Sequence, residues 1–308
     1  MRNTNFIYLM FVSVMFFNAC DTKNQKPKNN DSSISKEFYF GQKPPNLIPE
    51  IFAPGIVSIN GRFEGAVSFS PDLREIYFGA YYEGKETAIY YSKLEKGTWT
   101  TIKRANFTKG QKKEEMHPFV SQNSKRIYFT ALDSVFADEK IWYVNRLQDS
   151  WSAAIQLNSP INDDLVFSAN QAKNGDMYYF NLSKFKTYYA PNENGEFSEK
   201  MEIGITFGHH AFISPSQDYV LVAGENQENN HRKDNDIYVY FKKQDGTWTK
   251  PIHLGNSVNS DFDEKSPRIS PDGKYIFFGR SERKGEKGLA NIYWVSTEVI
   301  HKLKPTNL

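Results

Sequence analysis

The sequence predicts an all-β chain folded as a β-propeller of five four-stranded blades. Three observations carry the prediction. One phrase returns five times along the 308 residues; its apolar anchors, Ile76, Ile127, Met177, Val220 and Ile276, are spaced by 51, 50, 43 and 56 residues; and each copy ends in a run of β-branched and aromatic residues. A period near fifty is the mark of a solenoid or propeller array.

The elements of one unit follow in order. The first and fifth copies read "SFSPDLREIYFGA" and "RISPDGKYIFFGR"; looser copies are "PFVSQNSKRIYFTA", "VFSANQAKNGDMYYFN" and "AFISPSQDYVLVAG". A short apolar strand runs into a polar turn, where Pro presets φ, Asp bonds the turn backbone and Gly accepts a positive φ. The second run, such as "REIYFGA", has the composition of a strand buried on both faces. A polar loop leads to the third run: "AIYYSKL", "KIWYVNRL", "KTYYAPN", "DIYVYFKK" and "NIYWVST". In four copies a turn and an aromatic come next, Trp99, Trp151, Phe197 and Trp248, which open a fourth strand. Four strands per repeat make a propeller blade.

The fifth copy lacks its fourth strand, and the missing piece lies at the other end of the domain. "PEIFAPGIVSIN" (49–60) is similar to "PIHLGNSVNS" (251–260), and each leads into a copy of the phrase. The N-terminal segment therefore supplies the outer strand of the last blade and removes the open edge of the ring. A six-bladed count is the alternative.

With "SPDLREIYF", "SPDGKYIFF" and the leading "DEKSPRISPDG" on the page, the chain resembles the TolB-type, WD-like β-propeller repeat of bacterial envelope proteins. The resemblance covers the domain from residue 49 to the end. It implies the fold and a habit of binding other molecules, and it implies no reaction, because propellers host many functions.

The first twenty residues carry Arg2, an apolar run from Phe6 to Phe17, then Ala19 and Cys20. That is the layout of a secretory signal. Cys20 is the only cysteine, and "FNAC" resembles the lipobox of bacterial lipoproteins, which implies lipidation of Cys20. The expected organisation is a signal peptide at 1–19, a flexible polar tether at 20–44 and the propeller at 45–308. Localisation follows as the bacterial cell envelope, lipid-anchored and facing the periplasm or the surface. Lys plus Arg number 38 against 36 Asp plus Glu, with the signs interleaved, so a nucleic-acid partner is not expected.

Six positions before the turn serine, the repeat register gives Glu64, Glu115, Asp164, Gly208 and Glu264; two positions later it gives Ala66, His117, Val166, His210 and Ser266. First strands line a propeller's channel, so these residues are expected at its mouth, together with His209 and with Arg268 of the fifth copy. Two readings stay open. In one, His117 and His210 with the carboxylates hold a divalent metal or perform acid–base chemistry. In the other, the acids belong to the repeat and bond backbone amides, the histidines fill the channel, and no cofactor is bound. His209 and His210 are consecutive in a strand, so only one is expected to face the channel. No nucleophile elbow, HExxH or phosphate loop is present. The expected function is a membrane-tethered binding or scaffold module for an envelope protein or polysaccharide. The alternative is a carbohydrate-active enzyme or glycan binder using the acidic and histidine-lined mouth.

Overall fold

The computed structural model describes residues 37–308 apart from 149, 229–230, 282–288 and 307; the signal peptide, Cys20 and the tether up to residue 36 lie outside the described residues. The described residues form five blades around one axis. Chain order begins with β1 (Glu50–Ile51). Blade one is β2 (Arg62–Phe69), β3 (Glu75–Tyr82) and β4 (Ala88–Glu95), with β5 (Thr98–Trp99) and β6 (Lys103–Arg104) both on the edge of β4. Blade two is β7 (Glu114–Val120), β8 (Arg126–Leu132), β9 (Lys140–Asn145) and β10 (Ile155–Gln156). Blade three is β11 (Val166–Gln171), β12 (Met177–Asn181), β13 (Lys186–Ala190) and β14 (Met201–Glu202). Blade four is β15 (His209–Ile213), β16 (Tyr219–Glu225), β17 (Asn235–Phe241) and β18 (Ile252–His253). Blade five is β19 (Asp263–Ile269), β20 (Tyr275–Ser281) and β21 (Ala290–Ser296).

The ring closes as the sequence predicts. β1 pairs antiparallel with β21, Glu50 opposite Trp294 and Ile51 opposite Tyr293, so the N-terminal strand completes blade five. Phe52 N–H then donates to Ile292 O at 2.8 Å, as Leu254 N–H donates to Ile237 O at 3.1 Å in blade four. Ser58 ties both backbone groups of Ile292, as Asn259 ties both of Ile237. The similarity between 49–60 and 251–260 is thus the shared chemistry of one crossover between blades.

Among the described residues, apolar clusters fill all five junctions between neighbouring blades. The aromatics that precede the outer strands pack there. Trp151 meets Tyr77 and Tyr91 of the preceding blade and Phe107 of the loop that enters blade two, at centroid distances of 6.4, 4.8 and 5.1 Å. The packed part starts before Pro45, which corrects the expected boundary of the tether. Tyr39 is buried against Phe69, Tyr275 and Trp294, and Phe40 stacks on Trp99, because "EFYF" carries three aromatics that the blade-five junction can bury.

The turn persists even where Ser-Pro-Asp is lost. In copies one and five, Ser70 and Ser270 donate to Asp72 and Asp272 at 2.6 and 2.5 Å; in copy two, Ser121 and Asn123 reproduce the contact at 2.9 Å. Leu73, Ser124, Gly175, Gln217 and Gly273 take a positive φ at the same place. The third turn begins at Ala172, whose N–H bonds Asp176 O as Ser70 N–H bonds Glu75 O. This moves the third copy by two residues. Val166, not Asp164, occupies the register of the acids, and Ser168, not Val166, that of the histidines.

Candidate binding site at the channel

Each inner strand carries a β-bulge at the same point. Pairing slips between Gly65 and Ser68, Met116 and Phe119, Phe167 and Asn170, His209 and Phe212, and Lys265 and Arg268. Inside each bulge sits a non-glycine residue with left-handed backbone: Ala66 (φ 51°), His117 (50°), Ser168 (60°), His210 (51°) and Ser266 (52°). A Cβ makes that conformation uncommon, and a bulge re-aims its side chain. Contacts between blades that are not neighbours place several of these groups on the axis. His117 of blade two and His210 of blade four have ring centroids 5.3 Å apart. Arg268 of blade five donates through Nη2 to Ser168 Oγ of blade three at 2.7 Å. Below them Phe119 meets Phe212, with the Arg268 guanidinium 5.3 Å over the Phe212 ring. On the turn face, the space between Val67, Phe119, Phe212 and Ile269 amounts to about 20 Å³, room for a single water. The histidines, partly exposed and flanked by Phe167, are therefore approached from the opposite face, where the loops between second and third strands lie.

The bulge breaks the strand alternation on which the expectation for the histidine pair rested. With His210 left-handed, strict alternation fails, and His209 Nδ1 lies 2.5 Å from His210 Nδ1. Hydrogen-bond logic orders the protons. Asn235 Nδ2 donates to Asp263 Oδ1 at 2.7 Å, so its Oδ1 accepts from His209 Nε2 at 3.2 Å. Neutral His209 then has a bare Nδ1, which accepts from His210 Nδ1–H. The remaining polar atom of His210 is Nε2. Burial, helped by Arg268, pulls His117 down to about 3, and burial with the neighbouring His209, His117 and Arg268 holds His210 well below the usual imidazole range. Both rings are neutral near pH 7.

The repeat acids face their own blades. Glu115 accepts from Phe107 N–H (3.1 Å), Thr108 N–H (2.6 Å) and Thr108 Oγ (2.8 Å), pinning the loop that enters blade two. Glu64 accepts from Ile59 N–H and Arg62 Nε, and Glu264 from Ser260 and Arg280 Nε. Arg62 and Arg280 reach on to the carbonyls of Val57 and Val258, so the two blades share one device. Glu64 and Glu264 are fully buried, and burial outweighs the arginines to push both up to about 7. Asp164 lies outside β11. It accepts from Asn181 Nδ2 at 2.8 Å and meets Lys184 and Lys200, contacts that hold its carboxyl below the usual range, the Asn181 bond foremost. The structure thus brings His117, His209, His210 and Arg268 together and leaves Glu64, Glu115, Asp164 and Glu264 apart from them. Among the described residues no group of three or more His, Cys, Asp or Glu side chains is arranged to hold a metal ion, so His117 and His210 have no third ligand.

The repeat pattern in the sequence does not reveal an apolar rim on the loop face. Tyr82 (46% exposed), Val135 (55%), Phe136 (67%), Phe185 (70%) and Leu289 (50%) all sit at or in loops joining second to third strands. Phe136 and Phe185 are held out with positive φ, 59° and 51°. Their loops are pinned: Asp138 accepts from Asp133 and Ser134 N–H and from Lys112, Glu139 accepts from Phe136 N–H, and Asn181 accepts from Lys184 N–H. Phe185 continues inward through Phe180 and Phe167 to His210, with centroids 6.2, 5.3 and 4.9 Å apart. Left-handed backbone at two corresponding loops thus holds aromatic rings out in solvent.

No family model matches the chain, and no curated protein matches it significantly in sequence. Among solved structures it is similar to an α-L-arabinofuranosidase from Podospora anserina in complex with cellotriose (10% identity, TM-score 0.53, 82% of this chain and 98% of that one). It is also similar to a GH43B protein of a xyloglucan utilisation locus from Bacteroides ovatus (12%, TM-score 0.52, 80% and 54%). TolB from Agrobacterium tumefaciens aligns with 13% identity and a TM-score of 0.47 over 73% of each chain. At these identities the arabinofuranosidase and GH43B likenesses extend to the fold alone.

Proposed function

We propose that the protein is a non-catalytic binding module of the bacterial envelope, tethered through a lipidated Cys20, that holds a polysaccharide on its loop face. One observation carries the reading: the apolar rim of Tyr82, at the end of β3, with Phe136 and Phe185 in their pinned loops. Aromatic faces supply large contact area to the apolar side of a sugar ring at low entropic cost. Hydrolysis of a glycosidic bond needs two carboxyl groups flanking it, about 5–10 Å apart. Here the repeat carboxylates are spent on loop backbone and arginines inside their own blades.

Retention on immobilised envelope polysaccharide, with mass spectrometry of the eluate, tests the proposal. Wild type is expected to be retained without shortening the polymer, and a Phe136→Ser, Phe185→Ser variant to be released early. Retention unchanged in the variant, or progressive shortening of the polymer, would refute it.

A further inference from the structure

Among the described residues, two polar atoms in the channel have no hydrogen-bond partner: Arg268 Nε and His117 Nδ1. Arg268 is 2% exposed. Among the described residues its guanidinium meets the Pro267 carbonyl, the Ser168 hydroxyl and the Phe212 ring, and no carboxylate. A buried cation without an anion is costly, and burial alone draws its pKa down to about 9. The other titratable groups nearby add no negative charge. His117 and His210 both sense the Arg268 charge, and His210 also senses Lys265. Of the two acids on β19, Asp263 is taken by Lys265 and Asn235, and Glu264 by Ser260 and Arg280. Such a group survives in a fold when something else compensates it.

We infer that this lumen is an oxyanion site: a carboxylate or phosphate group of the ligand enters from the loop face beside Phe167 and the two imidazoles, with Arg268 as the fixed charge that holds it. The neutral His117 ring donates to the anion through Nδ1–H, and His210 Nε2, its Nδ1–H being given to His209, donates once the ring takes up a proton, so binding strengthens as pH falls. The inference rests on the loop face being the ligand face, since the turn face is packed, and it narrows the ligand to an acidic polymer.

The test uses the full-length protein in detergent, titrated with glucuronate, inorganic phosphate and, as the neutral control, glucose, read by calorimetry and melting temperature. At least one anion is expected to bind saturably and glucose not to bind; response to glucuronate alone assigns a carboxylate ligand, and to phosphate alone a phosphorylated one. Arg268→Met is expected to weaken binding at least tenfold without lowering the melting temperature, because it removes an unpaired buried charge. If that variant does not fold, His117→Gln is expected to weaken binding severalfold, and His210→Gln to flatten its pH dependence. Absence of binding by both anions, or wild-type affinity in Arg268→Met, overturns the site. Polymer retention that depends on Phe136 and Phe185 but not on Arg268 overturns the oxyanion site alone; anion binding without polymer retention upholds it and overturns the rim reading.

Discussion

Glu115→Ala separates a scaffold acid from a catalytic one. The carboxylate is 3% exposed and accepts three hydrogen bonds, from Phe107 N–H, Thr108 N–H and Thr108 Oγ, at 3.1, 2.6 and 2.8 Å. Phe107 and Thr108 are themselves buried, so water cannot replace the lost acceptor without opening the loop. A buried donor left without a partner costs about 1–3 kcal/mol, so three sum to roughly 3–6 kcal/mol after partial relaxation. For a domain of this size, about 2–4 °C per kcal/mol converts that to a fall of roughly 6–24 °C in melting temperature. Thermal and urea unfolding of the variant measure it directly, and Glu115→Gln, which keeps one carbonyl acceptor, is expected to lose about half as much. An acid that works on a substrate behaves in the opposite way, since its replacement leaves stability unchanged or raised while removing activity. A Glu115→Ala protein that melts with wild type would refute the assignment of the repeat acids to the scaffold.

Phe52→Ala probes the closure: Phe52 is fully buried against Phe69, Phe277 and Trp294, and its truncation is expected to cost about 3–5 kcal/mol in urea unfolding. A loss below about 1 kcal/mol would contradict a ring locked by its N-terminal strand. The histidine and glutamate shifts act in opposite directions with pH. His117, at about 3 in the fold against 6.5 free, contributes stability that is full above pH 6.5 and lost on acidification; Glu64 and Glu264, at about 7 against 4.5, contribute stability that is full below pH 4.5 and lost as pH rises to 7. His117→Asn should therefore lose less stability than wild type between pH 6.5 and 3.5, and equal losses would count against a neutral buried ring. Cys20→Ser should move the protein from the membrane to the soluble fraction, and unchanged partition would rule out the anchor.

The blade count and the closure were readable in the sequence because turn chemistry is local. Ser, Pro, Asp and Gly do the same job wherever they fall, and 49–60 is similar to 251–260, with Ser58 bonding at one crossover as Asn259 does at the other. The third copy misled because Ala172 and Asn174 form the turn without its usual letters, which shifted Asp164 into a register that Val166 holds. The bulges left no mark either. Ala66, His117, Ser168, His210 and Ser266 share only a backbone angle that none of them favours, so Ser168 as partner of Arg268 and the joined His209 and His210 appear only in three dimensions. Phe136 and Phe185 resembled the core aromatics in composition, and their exposure depends on loop hydrogen bonds from Asp138, Glu139 and Asn181.

The most direct test of the account is hydrogen–deuterium exchange of the full-length protein with and without bound envelope polysaccharide. Protection concentrated in the loops at 133–139 and 182–185 and in β7 and β15 beside the channel histidines is the predicted result. Protection confined to the turn face around residues 70–74 and 270–274, or to the blade edges, would contradict it.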